Sequence, residues 1–437
     1  MIVFEFKIKA KENQLSAIDE AIRITQFVRN RCLRFWMDNQ NVKLLELNKY
    51  CAVLAKEFKF ADKLNSMARQ AASERTAFAI KRFYDNCKSK KPGKKGFPKF
   101  QKNNRSVEYK TCGWKLSEDR KYIAFTDKCG IGKVKLIGTY DLHFYQINQI
   151  KRVRIVRRCD GYYCQFCVDI ERHIEQKPTG KTIGLDVGLN HFYTDSNGDT
   201  VENPRFLRKS EKSLKRLQKQ VSRKKKGSKN RLKAIKRLGK KHLQVSRQRK
   251  DFAVKTALCV VKSNDLVAVE KLQVKNMVKN HKLAKSISDA SWSIFTAWLK
   301  HFGHVYGKII VEVNPKYTSQ KCSNCGEIVK KSLSVRTHIC QCGCILDRDE
   351  NAAINILKEG LKQAGFEITN TVGHTEINAC GEKSLYLRLE TILNKDAHGN
   401  KNLPLTCTQV NGESVKILII TASKRLRYDD NGIYFFC

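Results

Sequence analysis

Two short apolar runs constrain the fold more strongly than any other feature of this sequence. Residues 182–185 lead into Asp186, and residues 266–269 lead into Glu270. A run without polar alternation is typical of a strand buried on both faces, as in a parallel sheet covered by helices. Gly184 and Gly188 stand on either side of Asp186 and allow a backbone or a ligand to approach closely. The two runs therefore predict an α/β domain in which two strands each end in an acid.

A third acidic position opens a predicted helix. The octapeptide LDRDENAA, residues 346–353, places Asp347 and Asp349 at the helix entrance. The apolar face of the helix consists of Ala352, Ala353, Ile356 and Leu357. Gly360 follows as its predicted C-terminal cap. The alternative interpretation is that both aspartates only complement the helix dipole.

Three carboxylates from two strands and one helix suit a Mg²⁺-dependent nuclease of the ribonuclease H type. Mg²⁺ prefers hard oxygen ligands in octahedral geometry and retains some waters. Two such ions about 4 Å apart activate the attacking water and stabilise the departing 3′ oxygen. We assign the ligands as Asp186, Glu270 and Asp349, with Asp347 as the reserve for the third place. A single acid at a strand end is usually a solvated terminus, so the prediction depends on all three elements.

Closely spaced cysteines predict one structural zinc ion. Cys322 and Cys325 form a CxxC knuckle, and the second half supplies three more thiols, Cys340, Cys342 and Cys344. A structural zinc needs four ligands in a closed tetrahedron. Cys340 and Cys342 are our choice for the second pair, and Cys344 is able to replace either. A zinc ion here would stiffen the loop that leads into Asp349.

The charge of the chain indicates a phosphate polymer as partner. It has 85 Lys and Arg against 42 Asp and Glu, a net charge of +43 and a pI of about 9.8. Binding to phosphates is favoured because it releases condensed counterions. Residues 205–250 hold 21 Lys or Arg and one acid, with apolar residues spaced for two amphipathic helices: Leu214, Leu217 and Val221, then Leu232, Ile235 and Leu238. Such helices would form a wall of a nucleic-acid channel, and a solvated charged face is the alternative.

The N-terminal part shows a different periodicity. Phe4, Phe6 and Ile8 alternate with charged residues as in a half-buried strand, and stripes within residues 21–35 and 65–87 predict helices. A basic loop follows at residues 88–100, in which Phe97 and Phe100 stand among lysines. Residues 152–168 predict a hairpin that turns at Asp160-Gly161. We therefore expect a small β-barrel with a helical insert, followed from residue 181 by the α/β domain.

The same sequence gives expectations about location. It contains no run of the roughly 20 apolar residues that a membrane-spanning helix needs, and its start lacks the apolar core of a secretory signal. Its 17 cysteines fit a reduced compartment better than a disulfide framework. We expect a cytoplasmic protein that does not bind membranes.

The motifs taken together resemble those of TnpB, the nuclease of IS200/IS605-type insertion sequences, and more distantly those of compact type V CRISPR effectors. GLDVGL, VAVEKL and LDRDENAAINIL resemble the three RuvC motifs, and NPKYTSQKCSNCG resembles the entry to the zinc ribbon. The resemblance extends from the N-terminus to about Gly360. It departs from the usual pattern at the CxC of the second knuckle.

The resemblance implies a multidomain α/β fold with a ribonuclease H-like RuvC domain. The implied divisions are a wedge-like β-barrel (1–12 and 105–178), a helical recognition lobe (13–104), the RuvC domain (179–314 and 345–362), a zinc ribbon (315–344) and a C-terminal tail expected to be poorly ordered (363–437). Asp186, Glu270 and Asp349 would fill the catalytic places.

The implied activity is RNA-guided cutting of double-stranded DNA next to a short transposon-adjacent motif. The cofactors would be two catalytic Mg²⁺ and one structural Zn²⁺. The partners would be a guide RNA from the transposon end and the target DNA, with one copy of the chain on one RNA as the expected assembly. The alternatives are a catalytically silent RNA-guided DNA-binding regulator and an unguided DNA strand-transfer enzyme.

Overall fold

The computed structural model describes residues 1–89, 93–332 and 334–366. These divide into two compact units, with the boundary between Glu171 and Arg172. Almost all of the predicted 363–437 tail lies outside the described residues. Within the described part of the chain, no helix combines the length and the apolarity needed to cross a bilayer.

The first unit contains the predicted helical insert. Its helices are α1 (Glu12–Asp38), α2 (Leu44–Glu57), α3 (Lys59–Asp62) and α4 (Ser66–Lys88). The stripe on α1 is confirmed, since Ala21, Ile24, Val28 and Cys32 are buried. Helix α4 begins where the pattern predicts, because the side chain of Asn65 accepts a hydrogen bond from the backbone N–H of Met67 at 2.8 Å.

The sheet of the first unit has seven strands. They are β1 (Ile2–Lys9), β2 (Ser106–Tyr109), β3 (Trp114–Leu116), β4 (Tyr122–Phe125), β5 (Gly132–Ile137), β6 (Ile150–Arg158) and β7 (Gly161–Val168), in the order β2-β6-β7-β1-β5-β4-β3. Strand β1 pairs with β7 and β5, so the alternating N-terminal segment belongs to this sheet as predicted. The β6–β7 hairpin turns at Asp160-Gly161, where Gly161 has φ of 144°. The described pairings give an open half-barrel with β2 and β3 at its edges.

The second unit contains a mixed five-stranded sheet. Its strands are β8 (Thr182–Val187), β9 (His191–Asp195), β10 (Thr200–Glu202), β11 (Leu266–Glu270) and β12 (Ile309–Val313), in the order β10-β9-β8-β11-β12. Strands β8, β11 and β12 are parallel, and β9 and β10 add antiparallel pairs. The two apolar runs are therefore adjacent central strands, as their composition predicts.

Helices cover both faces of this sheet. They are α5 (Phe206–Ser222), α6 (Lys229–Ser263), α7 (Val274–Met277), α8 (Ala284–Ala290), α9 (Trp292–Tyr306) and α10 (Arg348–Gln363). On one face, Leu185 and Val269 share a core with α6 and α9. On the other face, Leu266 and Ala268 share a core with Ile356 of α10. A two-stranded ribbon, β13 (Thr337–Ile339) and β14 (Ile345–Asp347), lies between β12 and α10 in the sequence.

The prediction that Gly360 ends the last helix is wrong. Helix α10 continues to Gln363, and a Cβ on Gly360 would lie 2.4 Å from the Cβ of Ala268 in β11. This glycine is needed because the helix backbone approaches the sheet too closely for a side chain. The prediction for the second basic helix is also partly wrong, since Leu232 and Ile235 are exposed and Ala234 and Val245 are buried instead.

Candidate active site and metal centre

The first two predicted acids lie side by side at the carboxyl ends of β8 and β11, a border of the sheet that we term the carboxylate edge. Strands β8 and β11 are parallel neighbours, and their register pairs Leu185 with Val269. Asp186 and Glu270 are the next residue on each strand. Since side chains alternate along a strand, Asp186 faces the same side as Gly184, and Glu270 the same side as Ala268. Both acids therefore face the layer that α10 occupies.

Two positions without bulky side chains let α10 lie directly on these strands. A Cβ on Gly184 would stand 2.2 Å from the carbonyl oxygen of Ala353 and 2.7 Å from the backbone nitrogen of Leu357. The Gly360–Ala268 contact is equally close at the other end of the helix. The N-terminal turn of α10 is thereby directed to the carboxyl ends of β8 and β11.

Asp349 lies on the sheet-facing side of that turn. It precedes Ala353 by four residues, so the two share one face of the helix. Asp347 has a different position, because it is the N-cap: its side chain accepts from the backbone N–H of Asp349 at 2.8 Å and is exposed. The helix-capping interpretation thus fits Asp347, whereas Asp349 points to the strand ends.

The carboxylates influence one another electrostatically. Burial raises the pKa of Asp186 well above its ordinary value, and the negative charges of Glu270 and Asp349 raise it further. Burial also raises the pKa of Glu270. The Thr318 hydroxyl donates a hydrogen bond of 2.5 Å to Oε1 of Glu270, and this bond offsets part of the increase in pKa. These acids form a site whose negative charge lacks full compensation, a condition that favours cation binding.

Arg336 is a member of this site that the sequence did not predict. Its Nη1 lies 3.2 Å from each carboxylate oxygen of Asp349, and half of its side chain is exposed. It immediately precedes β13 of the ribbon and forms this ion pair across a sequence separation of 13 residues. No local pattern marks it, because the pairing depends on how the ribbon folds back over α10.

The three carboxylates share one edge without forming a closed cage. Among the described residues, the one group of three or more His, Cys, Asp or Glu ligand atoms that all lie within 4.8 Å of one another consists of cysteines. The three acids do not meet this spacing as a set. Their mutual repulsion gives a physical reason, and Thr318 and Arg336 hold Glu270 and Asp349 in separate hydrogen bonds.

The cysteine cluster contains the four predicted thiols, Cys322, Cys325, Cys340 and Cys342. The sulfurs of Cys322 and Cys342 are 3.7 Å apart, and those of Cys325 and Cys340 are 3.5 Å apart. Four thiolates around a tetrahedral zinc with bonds of about 2.3 Å would lie about 3.8 Å apart. The donor set and its spacing therefore fit zinc, with Cys344 outside the group of four.

A buried histidine supports this cluster. His338 is fully buried, and the Lys331 ammonium lies 2.5 Å from its Nδ1. The ammonium donates, so the ring carries its proton on Nε2, which has no hydrogen-bond partner among the described residues. Burial alone would raise the pKa of Cys322, but hydrogen bonds from the backbone N–H groups of Cys325 and Asn324, together with the nearby His338 side chain, lower it to about 5. His338 therefore lies close enough to influence Cys322, and its Nε2–H makes no direct hydrogen bond to that sulfur.

Two buried asparagines attach the ribbon to α10. Asn351 accepts from the backbone N–H of Ser323 at 2.8 Å and donates to the carbonyl of Lys321 at 2.9 Å. Asn355 donates to the carbonyls of Lys321 and Thr318 at 2.7 and 2.9 Å. Sequence reasoning overlooked both, although polar residues four apart on an apolar helix were a usable signal. The loop that carries the cysteines is therefore bonded to the helix that carries Asp349.

Two family models match the chain. The OrfB_IS605 model, described as "Probable transposase", matches residues 165–281, and the Cas12f1-like TNB domain model matches residues 292–356. The first match contains Asp186 and Glu270. The second contains the cysteine cluster and Asp349.

Relatives with similar sequences carry consistent names. The chain is 39% identical over 185 residues to a "Putative RNA-guided DNA endonuclease" of Streptomyces pristinaespiralis, a match that covers 42% of this chain and 46% of that protein. It is 27% identical over 379 residues to "Putative RNA-guided DNA endonuclease InsQ" of Escherichia coli K12, covering 82% and 92%. "TnpB-like protein L79" of Acanthamoeba polyphaga mimivirus is 38% identical over 141 residues, covering 31% and 27%. The chain thus spans about half the length of the Streptomyces relative and nearly all of the Escherichia coli one.

A solved Cas12f1 complex with sgRNA and target DNA matches at 16% identity and a TM-score of 0.48, covering 79% of this chain and 81% of that one. In the sequence matches, residues 165–281 resemble the OrfB_IS605 model and residues 292–356 resemble the Cas12f1-like TNB domain, a match that reaches into the first half of α10. The resemblance to TnpB that the motifs indicate is confirmed.

Proposed function

We propose that this chain is a transposon-encoded RNA-guided endonuclease that cuts double-stranded DNA next to a short transposon-adjacent motif. The observation that carries the proposal is the position of Asp186, Glu270 and Asp349 on one face of one sheet edge. The relatives named as RNA-guided DNA endonucleases support it. A purely DNA-binding protein has no need for three mutually repelling carboxylates, two of which have raised pKa values.

The second unit provides the nuclease in this proposal. Residues 179–314 and 345–362 form the RuvC domain, and residues 315–344 form the zinc ribbon. In the first unit, residues 1–12 and 105–178 are the wedge domain and residues 13–104 are the recognition lobe. The half-barrel sheet and the helices α1 to α4 are consistent with these two roles.

Asp186, Glu270 and Asp349 would hold two Mg²⁺ ions. Carboxylate oxygens are the hard ligands that this ion prefers, and the repulsion among these acids is the charge that a cation relieves. Bound Mg²⁺ would supply Lewis acidity toward the scissile phosphate and its attacking water.

The neighbouring side chains orient these ligands. Thr318 fixes one oxygen of Glu270 through its hydroxyl and leaves the other free for a ligand role. Arg336 compensates the charge of Asp349 and is half-exposed, so it also lies within reach of a phosphate at the edge. The four cysteines would hold Zn²⁺ and, through Asn351 and Asn355, stabilise the position of α10.

The basic helices α5 and α6 provide a surface for nucleic acid. Leu214 and Val221 of α5 are buried, so its lysines and arginines project outward. If base pairing to a guide reads the target sequence, the protein needs only to contact the backbone of the hybrid and to recognise a short flanking motif.

A cleavage assay with conservative variants tests the proposal. The protein is purified with its co-expressed transposon-end RNA and given Mg²⁺ and a matched duplex target. Asp186→Asn, Glu270→Gln and Asp349→Asn should each abolish cutting, because an amide cannot replace the charged ligand. Glu202→Gln is the matched control, since this exposed acid also ends a strand of the same sheet.

Three outcomes would contradict the proposal. Cutting that survives all three substitutions would place the active site elsewhere. Guided binding without any cutting by the parent chain would indicate the silent regulator. Activity that remains after the RNA has been digested would indicate an unguided strand-transfer enzyme.

A further inference from the structure

The first unit carries a recess lined by aromatic and amide side chains. It lies where the end of α1, the segment that leads to α2 and the end of α4 meet the loop after α4. The recess has a volume of about 690 Å³, and its lining includes Trp36, Gln40, Asn41, Lys43, Tyr84 and Phe97. Nothing in the nuclease mechanism uses these residues.

The aromatic rings of the recess form one cluster. Trp36 lies 6.1 Å from Tyr84 and 5.7 Å from Phe97, measured between ring centroids, and Phe83 contacts Phe97 at 5.2 Å. Packing among the rings does not bury them: Tyr84 is 49% exposed and Phe97 is 52% exposed. Each therefore presents ring surface to solvent, where apolar area is unfavourable unless a partner covers it.

The loop that presents Phe97 is fixed at both sides. Asn86 of α4 donates to the carbonyl of Lys95 at 2.9 Å. Asn30 of α1 exchanges two hydrogen bonds with the backbone of Gln101, of 2.8 and 3.0 Å. The exposed ring of Phe97 is thus held in place by its neighbours and does not depend on burial for its position.

The surroundings of the recess are cationic. Lys43 lines it, and Lys94 and Lys99 flank Phe97 in the loop; all three are exposed. Exposed rings with adjacent lysines suit bases that stack on aromatic faces while their phosphates meet positive charge. A duplex does not fit this chemistry, because its bases are already stacked on one another. The exposed amides of Gln40 and Asn41 offer donors and acceptors to base edges and to a 2′-hydroxyl, which only RNA carries.

We propose that the recess binds an unpaired segment of RNA, with one base stacked on the Tyr84–Phe97 surface and its flanking phosphates near Lys43 and Lys99. The proposal rests on the proposed function in one respect, namely that RNA is a partner of this chain. The RNA contact at the recess is separate from the pairing between guide and target and from the three carboxylates of the second unit.

Tryptophan fluorescence of the full chain gives a local readout, since Trp36 is part of the recess. The probes are an unstructured single-stranded RNA of about ten uridines, the matching thymidine DNA and a short DNA duplex, without guide, target or Mg²⁺. The RNA should quench a component of the emission that is lost in Trp36→Phe. The single-stranded DNA should quench it at least several-fold more weakly, and the duplex should not quench it.

Substitutions assign the binding to the recess. Phe97→Leu should raise the RNA concentration needed for the Trp36-dependent quenching by about 5- to 150-fold, the loss that corresponds to one stacked base. Phe144→Leu is the matched control, because Phe144 is 73% exposed elsewhere in the same unit, and it should leave the quenching unchanged. Lys99→Glu, at an exposed position, should weaken the quenching even if Phe97→Leu fails to fold.

Three results would overturn the proposal: RNA binding without quenching of Trp36, equal quenching by DNA, or an unchanged titration in both Phe97→Leu and Lys99→Glu. The assay contains no cleavage step. A chain that binds RNA here but does not cut would refute only the nuclease proposal, and a chain that cuts without this quenching would refute only the present one.

Discussion

Replacing Gly360 by alanine should push helix α10 away from the sheet. The new Cβ would stand 2.4 Å from the Cβ of Ala268, which is roughly 1 Å inside ordinary carbon contact. Both atoms are attached directly to backbone, so relief requires moving the helix or the strand. An overlap of this size costs about 3 kcal/mol, and the better helix propensity of alanine returns about 1 kcal/mol. We expect a net loss of about 2 kcal/mol in the free energy of unfolding.

The substitution Ala268→Gly on the strand tests whether the overlap with the Ala268 methyl causes this loss of stability. In Ala268→Gly the obstructing methyl is absent, and the atom nearest to the new Cβ is the Ala268 Cα at 3.6 Å. Ala268→Gly alone should cost about 1 kcal/mol, because glycine weakens a strand. The double variant should be about as stable as the parent, since the gain in the helix offsets the loss in the strand. The double-mutant cycle should therefore give a coupling energy of about 3 kcal/mol.

Chemical unfolding followed by tryptophan fluorescence measures this cycle. Trp292 is buried on α9 in the core of the same unit, so its emission reports unfolding there. A coupling energy below about 0.5 kcal/mol lies within ordinary additivity and would refute the close contact between α10 and β11.

The remaining predictions concern the carboxylate edge and the cysteine cluster. In the proposed nuclease, Gly184→Ala should slow cleavage by about 100-fold, since a displacement of about 1 Å at a catalytic group has that effect. A rate within twofold of the parent would contradict this prediction. Gly188→Ala is the milder comparison, because the described atom nearest to its Cβ would be 3.1 Å away. The folded-state pKa of Asp186 is raised, so without Mg²⁺ the melting temperature should fall as the pH rises from about 4 through that pKa. The melting temperature of Asp186→Asn should depend less on pH. The same pH dependence in both proteins would refute the raised pKa of Asp186. His338→Phe should weaken zinc binding by about 10- to 100-fold in a chelator competition, and unchanged zinc retention would show that His338 does not support Cys322.

Local patterns predicted most of the elements because they report burial directly. The alternation at Phe4 and Phe6 marked a strand, and the unbroken apolar runs before Asp186 and Glu270 marked central parallel strands. The cysteine spacing likewise indicated the group of thiols that the structure brings together. Each of these signals consists of residues that are close together in the sequence. The elements and the thiol group can therefore be predicted without knowledge of the tertiary contacts.

Other features depended on partners that are distant in the chain. Whether Gly360 ends a helix or lies against a strand is decided by Ala268, and no local signal distinguishes the two. Arg336 meets Asp349 only because the ribbon folds back over α10. On the second basic helix, the spacing of Ile235 fits an apolar stripe as well as that of Ala234 does, and the packing selected the alanine.

The order of the three acids along the chain has a consequence for protein synthesis. Asp186 and Glu270 emerge from the ribosome first, on adjacent strands, while Asp349 follows only with α10, whose last residue is Gln363. A nascent chain that has already formed the sheet therefore exposes two carboxylates without the third. The set of three carboxylates is completed late in translation, after the ribbon has emerged, and a truncated product that stops before α10 would lack one of the three ligands of the proposed nuclease.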